Sequence, residues 1–141
     1  NKTILNDVVD SGSTVDAVVS REMLENIFYP KAPLHDGAVV IRDGRIHSAA
    51  CILPLTKNTN ISLALGTRHR AAIGMSENSD ATIVVVSEET GTVSVASKGN
   101  LKRGFDAITL KTELESSISG VETDDKNKNS KNPFKRMGWF K

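Results

Sequence analysis

The sequence predicts an α/β or α+β domain in which helices cover a mixed central β-sheet. Three observations indicate this class: the predicted strands outnumber the helices, the two are interleaved along the chain, and several neighbouring strands are joined by hairpin turns. The 141 residues are enough for one domain with its own core. Apolar residues make up 38% and charged residues 25%, a balance that excludes a fibrous or wholly disordered protein.

The individual elements follow from apolar periodicity and from the residues that begin and end helices and strands. Ser20 is the predicted N-cap of the second helix, and Pro30 and Pro33 end that helix and impose an extended approach to residues 34–36. In chain order the predicted elements are a helix at 4–10, a strand at 15–19, a helix at 21–28, strands at 38–41 and 46–53, a helix at 68–76, and strands at 82–86 and 92–96.

The sequence signals for turns and helix caps vary in strength along the chain. Asp43-Gly44 is a strong signal for a two-residue turn between the strands predicted at 38–41 and 46–53. Thr67 is the expected N-cap of the third helix. Residues 105–118 give a weaker pattern, for which we expect a short strand or coil near Ile108 and Leu110, followed by a helix.

Charge is distributed unevenly along the chain. The net charge is +1, but residues 121–141 contain six basic and three acidic residues, which leaves −2 for residues 1–120. The body is therefore not a basic nucleic-acid binder. We predict a folded domain over residues 1–120 and a flexible basic and aromatic tail over residues 121–141, which is either a solvated end or a segment that docks on a partner or a membrane surface. The single cysteine, Cys51, excludes an intrachain disulfide and is expected in the core.

The first cluster that could carry chemistry lies at residues 34–38. His35 and Asp36 stand beside Gly37 and Ala38, small residues that let a ligand approach the backbone closely. A carboxylate at this position can hold a divalent cation or accept a proton from a hydroxyl group. The alternative is that Asp36-Gly37 only forms the turn that begins a hairpin strand.

The second cluster lies at residues 66–72. Gly66 and Thr67 open a helix whose first backbone N–H groups form an anion site, and Arg68 and Arg70 add forked donors for phosphate oxygens. Because two arginines at a helix N-terminus oppose the helix dipole, an anionic ligand is the simplest explanation for them. His69 either contacts the phosphates or is a core histidine whose hydrogen bonds are satisfied.

The third cluster, Ser87-Glu88-Glu89, follows a buried strand at the edge where open α/β sheets bind ligands. Ser87 can donate a hydrogen bond to a phosphate, and either acid can hold a metal or balance the charge of the arginines. The alternative is that the two acids are exposed in a hairpin turn.

Together the three clusters indicate metal-assisted chemistry on a nucleotide phosphate. The sequence contains neither a Walker-type loop nor Gly-x-Gly-x-x-Gly, so the common nucleotide-binding folds are not indicated.

In Asp36-Gly37-Ala38 and in residues 66–72 the sequence resembles the two signature motifs of the diadenylate cyclase (DAC domain) family. Residues 87–91 resemble the family's third block, and the likeness extends over residues 20–96. Without a helix–hairpin–helix extension, the chain is more similar to the membrane-anchored CdaA/DacA branch than to the DNA-scanning branch. Related domains have a helix and an apolar strand ahead of the first residue of this chain, so we expect a catalytic fragment that lacks them.

The resemblance implies a nucleotidyltransferase that condenses two ATP molecules into cyclic di-AMP and releases two pyrophosphates with Mg²⁺ or Mn²⁺. Two subunits would face each other as a homodimer, each holding one ATP, and the 3′-hydroxyl of one nucleotide would attack the α-phosphorus of the other. The longer parent protein would lie at the cytoplasmic side of a bacterial membrane, with a regulatory protein as a further partner and no nucleic acid. The alternative is an ATP- or cyclic di-AMP-binding fragment held as an inactive monomer or a non-productive dimer.

The family's functional residues carry over onto the matching positions of this sequence. The implied catalytic residues are Asp36, Gly37, Arg68, His69 and Arg70. The implied ATP-binding residues are Gly37, Ala38, Leu53, Gly66, Thr67, Arg68, His69, Arg70, Ser87 and Glu89. The implied metal ligands are Asp36, His35 and Glu89. Leu53 would offer backbone contacts to adenine beside Ile52, which stands where related proteins often have an aromatic residue.

Overall fold

The computed structural model describes residues 2–61, 65–122 and 137–140. The helices are α1 (Lys2–Ser11), α2 (Arg21–Ile27), α3 (Thr67–Asn78) and α4 (Ala107–Glu122). The strands are β1 (Ser13–Val18), β2 (Ala38–Arg42), β3 (Arg45–Cys51), β4 (Thr82–Val86), β5 (Val93–Ser97), β6 (Asn100–Phe105) and β7 (Met137–Phe140).

The seven strands form one sheet in the order β1-β3-β2-β7-β4-β5-β6. Five of the six neighbouring pairs are antiparallel, and β4 and β7 run parallel to each other. The sheet is therefore mixed and is flanked by helices, which confirms the predicted fold class. The β2–β3 turn is also confirmed: Asp43 and Gly44 both have positive φ angles, 53° and 75°, as a two-residue hairpin turn of the primed type requires.

Each face of the sheet has its own apolar core, because side chains alternate between the faces along a strand. One face packs on α1 and α3 and buries Val40, Ile83 and Val85 among others. The opposite face packs on α2 and on Leu114 of α4, and buries Val39 and other apolar side chains. Burying both faces explains why the β2 and β4 segments read as continuous apolar runs rather than alternating ones.

A close backbone approach fixes the position of α3, the helix that carries the second cluster. A Cβ atom added to Gly74 would clash with the Pro54 carbonyl oxygen, so only glycine allows this helix to pack so tightly on the segment after β3. One turn earlier, the Thr56 amide donates to the Arg70 carbonyl oxygen at 3.1 Å. The N-terminus of α3 is thereby held in a fixed relation to the sheet.

Two local predictions about caps and loops are wrong. The N-cap of α3 is Gly66 rather than Thr67, which is already helical. The prolines after α2 do not impose an extended approach, because residues 29–35 form two successive turns in which the amides of Ala32 and His35 donate to carbonyl groups three residues earlier. The predicted N-cap of α2 is confirmed, since the Ser20 hydroxyl accepts from the Met23 amide at 3.1 Å.

The last third of the chain differs from the sequence prediction. Strand β6 was not predicted, and Ile108 and Leu110 belong to α4 rather than to a strand or coil. Helix α4 extends to Glu122, and β7 lies inside the residues expected to form a flexible tail, of which residues 123–136 lie outside the described residues. Among the described residues, no helix is long and apolar enough to span a bilayer. Cys51 is buried and free, as expected.

Candidate active site at the start of helix α3

A cavity of about 490 Å³ opens where α3 begins and where β4 ends. Each of the three predicted clusters contributes to its wall, and β6 adds one further side chain. The lining residues are Asp36, Leu65, Gly66, Thr67, Arg68, His69, Val86, Ser87, Glu88, Glu89, Thr90 and Arg103. Segments that are distant in the sequence therefore meet at one cavity, whose volume is in the range of small-molecule sites.

The positive end of α3 forms one wall of this cavity. Gly66 caps the helix with extended backbone, φ −78° and ψ −178°, and no side chain of the described residues caps the first turn. That first turn also contains no acidic residue. The backbone N–H groups at a helix start carry partial positive charge, so this wall favours an anion.

Arg68 connects the two strand ends that flank the cavity. Its guanidinium group forms an ion pair with Glu88, which follows β4, and a longer contact of 3.7 Å with the Asp36 carboxylate, which precedes β2. Arg68 is largely covered, with 20% of its side chain exposed, whereas the Asp36 side chain is 85% exposed. The arrangement joins one cation to two acids at the cavity, and a phosphate entering there would compete with those acids for the guanidinium group.

His69 lies deep in the same wall. The residue is 6% exposed, and its Nε2 atom is buried with no hydrogen-bond partner among the described residues. Burial, with a smaller contribution from the nearby charge of Arg103, lowers the pKa of His69 below its usual value of 6.5. The imidazole is therefore neutral near pH 7, and it is not the fully satisfied core histidine that the sequence left open.

The two neighbours of Asp36 in the sequence, His35 and Gly37, also have structural roles. The His35 ring donates from Nδ1 to the Ala32 carbonyl oxygen at 2.7 Å, so Nε2 is the ring nitrogen left for a ligand. Gly37 has a φ angle of 112°, and a Cβ atom there would lie 2.8 Å from the carbonyl carbon of Ala50. Glycine is thus required at position 37 by the backbone and by its contact with β3.

Several residues in the predicted site do not line this cavity: His35, Gly37, Ala38, Leu53 and Arg70. Ala38 is buried within β2. Leu53 is also buried and borders a second cavity of about 580 Å³ between α1 and the segment after β3, together with Ile52, which is 72% exposed.

Two charged residues at the cavity are not among those that the resemblance implies, although Glu88 was one of the two acids expected to hold a metal or balance the arginines. Glu88, rather than Glu89 alone, faces Arg68, and spacing could not decide between these neighbouring acids. Arg103 was missed because β6 was not recognised as a strand. The one available signal was Gly104, since an isolated glycine within a strand often marks a bulge beside a site.

The donor set at the cavity suits a cation that is shared with a bound phosphate. Within the described residues no three His, Cys, Asp or Glu side chains form a metal cluster. Asp36 and Glu89 nevertheless both line the cavity, next to an anion-binding helix end. Mg²⁺ is commonly held by one or two carboxylates together with substrate phosphates, and the residues present fit that kind of site.

The fold and cavity define a mixed α/β domain with an anion site at the sheet edge. A family model described as DAC, DisA bacterial checkpoint controller nucleotide-binding, matches residues 1–101. The chain belongs to this family, which confirms the resemblance found in its motifs.

The proteins similar to this chain include two curated relatives from Bacillus. The chain is 50% identical over 113 residues to cyclic di-AMP synthase CdaA of Bacillus subtilis and 57% identical over 97 residues to diadenylate cyclase CdaS of Bacillus thuringiensis. These matches cover 80% and 69% of this chain but only 41% and 48% of the relatives, so the chain spans less than half of either.

A crystal structure of a cysteine double mutant of DacA from Staphylococcus aureus has a TM-score of 0.77 and 45% identity, and the match covers 80% of this chain and 75% of that one. A protein from Bacillus cereus described as a hypothetical membrane spanning protein has a TM-score of 0.66 and 56% identity, over 68% of this chain and 47% of that one.

Proposed function

We propose that this domain is a diadenylate cyclase, which joins two ATP molecules into cyclic di-AMP and releases two pyrophosphates. The observation that carries the proposal is the pair of contacts from Arg68 to Asp36 and Glu88, which unites three separate segments at one cavity. Two similar proteins are named for this activity. The reaction needs little covalent help from protein, since positioning and charge stabilisation supply most of the catalysis of phosphoryl transfer.

The triphosphate would bind at the start of α3. The N–H groups of the uncapped first turn and the Arg68 guanidinium would donate to its oxygens, and the Ser87 hydroxyl would add a donor from the end of β4. Arg70 would act from the same helix, and Leu53 with Ile52 would contact adenine. The positive end of the helix supports the phosphate-binding assignments, whereas those of Arg70, Leu53 and Ile52 rest on the resemblance, since these residues do not line this cavity.

Asp36 would act on the attacking hydroxyl group. It is exposed at the cavity wall, so its carboxylate can accept the proton as the 3′-oxygen bonds to the α-phosphorus and the bond to the pyrophosphate oxygen breaks. A bound Mg²⁺ or Mn²⁺ ion would supply neutralisation of phosphate charge. Asp36, Glu89 and, through Nε2, His35 are the residues that would hold such an ion.

A second copy of the domain would be required for the reaction. One cavity of about 490 Å³ suits one nucleotide, whereas the product contains two. We therefore propose a homodimer in which two such cavities face each other. The longer parent protein would lie at the cytoplasmic face of a bacterial membrane with a regulatory partner, in line with the name of the Bacillus cereus protein.

The test is to incubate the chain with ATP and Mn²⁺ and to identify the product by chromatography and mass spectrometry. We expect cyclic di-AMP and pyrophosphate in a ratio of one to two, and none from a reaction that contains AMP instead of ATP. Binding of ATP without any cyclic product would contradict the catalytic proposal and favour the alternative of a nucleotide-binding fragment.

A further inference from the structure

We propose that Arg103 is an additional phosphate-binding residue, which holds the part of ATP that leaves as pyrophosphate. This inference rests on the proposed function and extends it to a residue outside the family motifs. Arg103 lines the cavity from β6, the strand at the edge of the sheet. Arg68 and Arg103 thus place a guanidinium group on two different walls of one cavity.

The register of the sheet separates Arg103 from Asp36. Ala38, Phe140, Val85, Ser94 and Arg103 are paired in one line across five strands. With about 4.8 Å between neighbouring strands, Arg103 lies two strands from Val85 on the side away from Ala38 and Asp36. If the reacting α-phosphorus lies near Asp36, the phosphates beyond it can extend toward Arg103.

A β-bulge aims Arg103 at the cavity. Val93 pairs with Phe105 and Ser94 pairs with Arg103, so Gly104 is an extra residue in β6. Its φ angle of 82° lies in the left-handed region that glycine adopts without strain. Bulges bend a strand and re-aim the adjacent side chains, and they are frequent beside active sites.

Arg103 has no charged partner within the described residues. Its side chain forms no ion pair or hydrogen bond within the part of the chain that the structure describes. The preceding residue, Lys102, instead pairs with Glu113 of α4 at 3.1 Å. Arg103 therefore adds an unpaired positive charge to a cavity of which another wall is the positive end of α3.

Two buried polar atoms next to Arg103 lack partners among the described residues. They are Nε2 of His69 and the hydroxyl oxygen of Ser94, the residue that pairs with Arg103 in the sheet. His69 lines the cavity and is close enough for the charge of Arg103 to act on it. Buried polar groups are almost always satisfied in folded proteins, so the Nε2 atom of His69 at the cavity indicates a missing polar occupant, which a phosphate group with its hydrating water would supply, whereas Ser94 does not line the cavity.

Arg103 would act on the departing group. As the bond between the α-phosphorus and the bridging oxygen breaks, its electron pair passes to that oxygen, and negative charge grows on the pyrophosphate. A guanidinium group that binds these oxygens stabilises the bound ATP and the developing charge together. AMP has no such phosphates, so its affinity does not depend on Arg103.

The test compares Arg103→Gln with the matched control Lys102→Gln by calorimetric titration with ATP, AMP and inorganic pyrophosphate. We expect Arg103→Gln to weaken ATP and pyrophosphate binding by about 10-fold or more, in line with a lost charge-assisted hydrogen bond, and to leave AMP binding unchanged. Lys102→Gln should stay within about twofold of the wild type for all three ligands. Arg103→Lys, which keeps the charge, should recover part of the loss.

The outcomes separate this inference from the proposed function. Pyrophosphate binding that is equal in the wild type and in Arg103→Gln would overturn the role of Arg103, whatever the activity. Equal losses for ATP and AMP would overturn it as well. A wild-type chain that binds pyrophosphate through Arg103 but makes no cyclic di-AMP would contradict the proposed function alone, and one that makes cyclic di-AMP but does not bind pyrophosphate would contradict the role of Arg103 alone.

Discussion

Arg68 connects the three separate segments that form the candidate site. It pairs with an acid that precedes β2 and with an acid that follows β4, while its own backbone belongs to the first turn of α3. Neither acid is deeply buried, so the pairs contribute little stability by themselves. Their importance is positional, because they orient the guanidinium group toward the cavity.

Asp36 gives the most direct test of the proposed chemistry. Replacing it with asparagine removes the negative charge with little change in shape, so Asp36→Asn should still bind ATP within about threefold but should form product at least about 100-fold more slowly, as expected for loss of a proton acceptor. Product formation is followed by chromatography and binding by titration. Asp16→Asn, at an exposed acid that pairs with Arg45, is the control and should retain normal turnover. Normal turnover by Asp36→Asn would exclude a role for this carboxylate.

His69 makes a prediction about pH. Its pKa is lower in the folded state than the usual 6.5, so below pH 6.5 the unfolded chain binds more protons and stability falls. The wild type should therefore lose stability between pH 7.5 and 5.5 more steeply than His69→Gln, as measured by urea unfolding. Parallel pH profiles for the two proteins would mean that burial does not depress the pKa of His69.

At the scale of elements, the predictable parts of the fold are those with local signals. The β2–β3 hairpin follows from Asp43-Gly44, and α2 follows from the Ser20 cap and its apolar face. Strand β6 has only two apolar residues, Leu101 and Phe105, and a bulge between them breaks the alternation. It is a strand because it pairs with β5, a tertiary cause that local pattern does not contain.

The candidate site also contains some residues that local sequence predicts and others that it does not. Motif residues such as Asp36, Arg68 and Ser87 could be found because short segments carry them. Arg103 depends on the unpredicted strand, and the choice between Glu88 and Glu89 depends on the path of a turn. Helix caps show a related limit: Gly66 and Thr67 are both accepted at an N-cap, so sequence could not decide which residue begins α3.

Strand β7 is the element with the clearest structural test. Gly138 pairs with Val40 of β2 on one side and with Ile83 of β4 on the other. Proline has no amide donor and is excluded from central strands, so Gly138→Pro should lower the midpoint of urea unfolding markedly. Gly138→Ala keeps the amide and should have a smaller effect. A midpoint unchanged by proline would show that β7 contributes nothing to stability.

At the scale of the whole molecule, the proposed dimer predicts a dependence on concentration. If the active site requires two copies, activity per molecule should rise with protein concentration until the dimer is fully formed. The measurement combines initial rates from nanomolar to micromolar protein with mass photometry over the same range. Constant activity per molecule at concentrations where only monomer is detected would contradict the dimer.

The strand order has a consequence for how a ligand would act on the protein. In the described sheet, β1-β3-β2 and β4-β5-β6 are two antiparallel sets of strands joined by β7 alone, and the cavity takes Asp36 from one set and Glu88 from the other. A nucleotide that contacts residues beside Asp36 and residues beside Glu88 would link the two sets of strands and so stabilise their connection through β7. Hydrogen exchange should then slow most at the amides of β2 and β4 that border β7, and least at the β2–β3 turn.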